Sequence, residues 1–92
     1  MLYRPGDRLP NGANVIDYHP LPDEDVNGGI VLAHSPNVPE YIVWNVNGDG
    51  HTYWGHYFPH HNRPDFNAMV EARWQYTATI EKYAPKGAVK KV

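Results

Sequence analysis

Four histidines crowd one short stretch of this chain: His51, His56, His60 and His61, with Asp65 close behind. Imidazole and carboxylate are the ligands zinc takes where cysteine is absent, and this chain has no Cys. The spacing does not complete that chemistry. No His-Glu-x-x-His helix sets two imidazoles on one face, and no strand carries His-x-His. His60 and His61 are neighbours in a loop and tend to point apart. The expectation is no metal and no cofactor, with the histidines solvated or hydrogen-bonded. Nucleophilic chemistry fares no better. Ser35 is the sole serine, it precedes Pro36 in a turn, and His34 beside it points the wrong way to act as its base. Paired carboxylates for glycoside hydrolysis would have to come from loop residues, Asp23 to Asp25 or Asp49, with nothing to desolvate them. Gly28-Gly29 and Gly48-x-Gly50 precede no helix that carries a lysine, so neither is a phosphate loop. The residues point to a protein that is not an enzyme.

Recognition is better supported than catalysis. Tyr41, Tyr53 and Tyr57 lie at alternate positions of two neighbouring β-rich runs, and the expected binding set is these three with His51. Tyrosine buries a large area at low entropy cost, which enriches it at interface hot spots. The other reading is that the C-terminal segment wraps over the tyrosines and makes them core. Aromatics on a sheet also stack single-stranded bases, but that mode wants Lys or Arg between them. Residues 40–58 contain neither. A nucleic-acid role would rest on Lys82, Lys86, Lys90 and Lys91 near the C-terminus.

These side chains need elements to position them. Pro10-Asn11-Gly12 is a tight turn, and Ala13 to Tyr18 follows as a short strand with Val15 and Ile16 at its centre. Residues 19–29 form a loop, broken by two Pro and three consecutive acids. Ile30 to His34 is a continuous apolar run, the pattern of a strand buried on both sides. Residues 40–46 and 51–58 form a hairpin across Asn47-Gly48-Asp49-Gly50, read as a type I turn with Gly50 in the left-handed bulge position. That register sets Trp44 opposite Trp54. Ile42, Trp44, Val46, Trp54 and Phe58 then share one face with Thr52 and His56, and Tyr41, Val43, Asn45, Tyr53 and Tyr57 share the other. Pro59 to Pro64 is a connector, and Asp65 starts a helix to about residue 82. Phe66, Met69, Val70, Trp74 and Thr77 give its apolar period. Residues 76–80 also alternate, so that end reads as helix or strand. The expected fold class is α+β: an antiparallel meander of three to four strands packed on one C-terminal helix through Phe66, Val70 and Trp74.

Composition sets the outer bounds. The 92 residues make one small domain, 1–92, with a loose basic tail from about residue 85. A domain this small buries roughly 60–65% of its unfolded surface, so it is marginal or leans on a partner or on itself. Net charge is −2, which gives no general field toward nucleic acid. The acidic Asp23-Glu24-Asp25 and the basic tail read as solvated ends and loops. Nine Pro and eight Gly are interspersed and fall at turns. No apolar run approaches a membrane span, and the N-terminus lacks a signal peptide's apolar stretch, so the expectation is a cytoplasmic protein with no membrane contact.

Tyr41-Ile42-Val43-Trp44, the Asn-Gly-Asp-Gly turn, Tyr53 to Phe58 and Ala68-Met69-Val70-Glu71-Ala72-Arg73-Trp74 together resemble a type of small protein encoded by actinobacteria and their phages. The resemblance spans roughly residues 29–74. It implies no particular activity. It does imply an accessory or host-directed phage protein that acts by binding. The expected function is therefore a non-enzymatic module that binds a protein partner, or itself, through a tyrosine-rich sheet face. The alternative is a small nucleic-acid-associated regulator using the lysine tail.

Overall fold

A computed structural model describes residues 2–22, 28–59 and 65–83, the last without the side chains of Asp65 and Phe66. The loop acids 23–25, His60, His61 and the tail from residue 84 lie outside the described residues. Among the described residues four strands, β1 (Asn14–Pro20), β2 (Gly29–Ser35), β3 (Glu40–Val46) and β4 (Thr52–Pro59), are followed by one helix, α1 (Asp65–Tyr83). The strands pair antiparallel in chain order to give a β1-β2-β3-β4 meander, so the expected α+β architecture holds. The Tyr76 to Ile80 stretch is helical.

The hairpin tip forms as its residues dictate. The Gly50 N–H donates to the Asn47 carbonyl at 2.9 Å, and Gly50 takes φ +88°, where a side chain would be strained. The Asn47 Oδ1 accepts from the Asp49 and His51 N–H groups at 2.9 and 3.0 Å. Pairing then runs Val46↔Thr52 and Asn45↔Tyr53 but resumes at Val43↔His56. One extra residue has entered β4 across from Trp44, and Trp54 there stands at φ +53°. This is a β-bulge, and it reverses the facing of every residue beyond it. Tyr57 pairs with Ile42 and Phe58 with Tyr41, which corrects the expected register.

A second bulge sits in β1. Val15 pairs with Ala33 but Asp17 with Leu32, leaving Ile16 as the extra residue. It turns Asp17 toward the helix and Tyr18 away from it.

The sheet is buried on both faces, as the apolar β2 run requires. One core gathers Val15, Tyr18, Val31, Ala33, Ile42, Trp44 and Val46 under the N-terminal segment, which contributes Leu9, Ala13 and Tyr3. That segment is tied down by a Leu9–Gly12 turn and by exchange of hydrogen bonds between Val15 and Gly6 and Asp7. The Tyr3 hydroxyl reaches across to donate to the Gly50 carbonyl at 2.7 Å. The other core sets Ile30, Leu32, Tyr41 and Val43 against Ala68, Ala72 and Tyr76 of α1. The helix thus approaches most closely at Ala68 and Ala72, with Tyr76 completing the buried stripe. Val70 and Trp74, expected to pack on the sheet, are exposed, Trp74 by 78%. Small side chains bring the helix axis close to the sheet, and a Trp on that stripe would hold it off.

Candidate functional site

The register decides what becomes of the expected tyrosine patch. Tyr41 is 8% exposed, beneath α1 and beside the His34 ring at 4.8 Å. Tyr53 pairs with Asn45 on the helix side of the sheet, whereas Tyr57 pairs with Ile42 on the opposite side. The Trp44 Nε1 donates to the Tyr57 hydroxyl at 3.3 Å, so Tyr57 closes over the N-terminal core. His51 is exposed at the hairpin tip beside Pro10 and Asn11. The three tyrosines therefore do not form one surface. There are two causes: α1 docks over Tyr41 and makes it core, as the alternative reading expected, and the bulge, marked in composition only by Gly55, carries Tyr57 to the opposite face.

Gly55 has a second purpose. A Cβ built on it would lie 2.6 Å from Trp44 Nε1 and 2.7 Å from the Tyr57 ring. Only a bare backbone lets the Trp44 indole lie against β4 there. Trp44 is accordingly buried in the N-terminal core, while Trp54 is 70% exposed and turned to the helix side. The expectation that both tryptophans share one face is corrected by the same extra residue.

What the bulge builds is a groove between β4 and the second half of α1, of about 460 Å³. Trp54, Gly55 and His56 form one wall, and Gln75, Ala78, Thr79, Lys82 and Tyr83 the other. Tyr53 sets its ring edge-on to the Trp54 indole, with centroids 5.0 Å apart, and so props the exposed tryptophan. Asn45 lies on the floor, 5% exposed. Among the described residues no hydrogen bond is made by its carboxamide. On the helix wall the Thr79 hydroxyl donates to the Gln75 carbonyl at 2.7 Å and accepts from Gln75 Nε2 at 3.0 Å. Lys82 extends past the mouth, its Nζ 5.5 Å from the Tyr83 ring centre, a cation–π distance. Among the described residues no Asp or Glu lines the groove.

On the same side of the sheet, nearer β1, Asp17 meets the helix. Arg73 approaches its carboxylate at 3.4 Å, both side chains being substantially exposed. Burial, together with the adjacent Asp17 charge, pushes the Tyr76 hydroxyl well above the usual tyrosine range. This cluster links α1 to β1.

Among the described residues no three His, Cys, Asp or Glu side chains gather as a metal site. Nor is any described helix long and apolar enough to cross a membrane. The chain matches no protein-family model, and comparison with curated proteins and with solved structures gives no match.

Sequence reasoning missed Asn45, Gln75 and Lys82 as members of one site, because they meet only through the bulge and the helix docking. One signal was present. Asn45 interrupts an otherwise apolar run, Tyr41 to Val46, in a strand with both faces covered.

Proposed function

We propose that this chain is a non-enzymatic protein-binding module whose recognition surface is the Trp54 side of the β4 bulge. The observation that carries the reading is the state of Trp54. A bulky residue at positive φ is a true conformational outlier, and such strain costs on the order of 1–3 kcal/mol. Here the strained residue also leaves a large apolar ring mostly in water. Neither feature adds packing within the chain. Both make sense where a partner buries the indole, since tryptophan is a leading hot-spot residue. The Tyr53 edge contact holds the ring in place before binding, which lowers the ordering cost. The resemblance to small actinobacterial and phage proteins adds a host protein as the partner, met in the cytoplasm.

The test is Trp54→Asn. Asparagine tolerates the left-handed backbone and removes the ring. We expect a melting temperature equal to or above the parent's and loss of the proteins co-purified by the parent chain from an actinobacterial lysate. Retention of those proteins by the variant would remove Trp54 as the anchor. If nuclease treatment of the lysate strips them from the parent, the nucleic-acid reading takes its place.

A further inference from the structure

The Asn45 carboxamide is a buried hydrogen-bonding group with no protein partner among the described residues, and it faces an open groove. Buried amides are ordinarily satisfied, and leaving one bare is unfavourable. In the free protein, water that enters the groove can meet it. A ligand group that replaces that water recovers the bond in a less polar setting.

The remaining lining says what kind of group. Lys82 brings a positive charge, and among the described residues no carboxylate pairs with it. Gln75 adds further amide chemistry beside Asn45. With no Asp or Glu among the described lining residues, Lys82 makes the groove a locally cationic recess in a chain whose net charge is −2. The Asn45 side chain on the floor offers N–H donors, and Trp54 offers an apolar wall for a methylene stem. A short acid on a two-carbon stem matches this sequence of surfaces. Its CH₂ groups lie along the indole, and its oxygens accept from Asn45 at the floor and from Lys82 at the mouth.

We propose that the groove is the receptor for a single carboxylate side chain of the partner, a glutamate in an acidic segment. The proposal rests on the protein-binding reading of Trp54 and adds to it the chemistry of the group received.

The experiment is a titration of ¹⁵N-labelled protein with blocked acetyl-Ala-Glu-Ala-amide, followed by NMR. The parallel arms use the glutamine tripeptide, adenosine monophosphate, and the Asn45→Leu and Lys82→Gln variants. The expected result is saturable movement of the Asn45 side-chain and Trp54 indole signals in the millimolar range with the glutamate peptide. The glutamine peptide should bind about tenfold more weakly or worse, Lys82→Gln should weaken glutamate binding likewise, and in Asn45→Leu the Trp54 indole signal should stay unmoved. Equal binding of the two peptides would make the groove an amide receptor and overturn the proposal. So would unmoved signals, a response that survives Asn45→Leu, or saturation by the nucleotide alone. The two levels separate cleanly: partner proteins lost with Trp54→Asn, but no peptide response at Asn45, would sink the carboxylate receptor and leave the binding module standing.

Discussion

Asn45 and Tyr76 show two ways in which a buried polar group on the same sheet face is treated. Asn45 has no protein hydrogen-bond partner among the described residues, so removing its amide should help the fold. We expect Asn45→Leu, of similar volume, to raise unfolding free energy by about 1 kcal/mol in urea titration. A loss of stability would show that the amide is bonded within the fold. Tyr76 is paired with Asp17 and kept neutral by burial, with its folded pKa raised above the ordinary 10.0. The sign follows. Above about pH 10 the unfolded chain loses this proton while the folded chain keeps it, so stability falls as pH rises further. Below that point the contribution is complete. The urea midpoint should therefore decline more steeply above about pH 10 in the parent than in Tyr76→Phe. Equal slopes would mean that the hydroxyl is solvated. Of these two residues, only Asn45 could have been noticed in the sequence, as a polar break in an apolar strand. The Tyr76–Asp17 meeting depends on the β1 bulge at Ile16, which leaves no trace in residue type.

At the level of elements, the strands and the hairpin tip were legible because turn chemistry and β-branched runs are local. The pairing beyond Trp54 was not. A bulge adds one residue and changes parity without changing composition, and Gly55 inside a strand was its one outward sign. The helix was legible as a helix and misjudged in its rotation. The large residues Phe66, Val70 and Trp74 mark a plausible stripe by size. The docked stripe is Ala68, Ala72, Tyr76 and Thr79, chosen by how closely the helix can approach. The consequence is measurable. Ala72→Leu should cost about 1–3 kcal/mol by overpacking, whereas Trp74→Ala should fall within about 0.5 kcal/mol of the parent. Chemical denaturation of the pair checks the rotation, and the reverse order would place Trp74 in the core.

Across the whole molecule, one helix cannot cover two sheet faces. The continuous apolar run of β2 announced that both faces would be buried, yet among the described residues no second periodic element does it. The cover is the irregular N-terminal segment, and irregular chain has no period to read. Leu9, 2% exposed, is its anchor. We expect Leu9→Ala to cost about 2–5 kcal/mol, comparable to a change within the strands. A mild effect in thermal melts would show that the segment is dispensable.

The meander has two borders, and they are unequal. The N-terminal segment hydrogen-bonds along the outer side of β1 at Val15, and Arg8 bridges to Asn14. β4 forms the opposite border. An exposed border strand is a template on which identical chains can zip into fibrils, and natural sheets blunt it with bulges and proline. The left-handed kink at Trp54 breaks β4 near its middle, and Pro59 closes its far end. Straightening β4 by deleting Gly55 would restore an unbroken row of free N–H and C=O groups. The same bulge that leaves the indole exposed thus also interrupts the row of groups along which a second copy could pair.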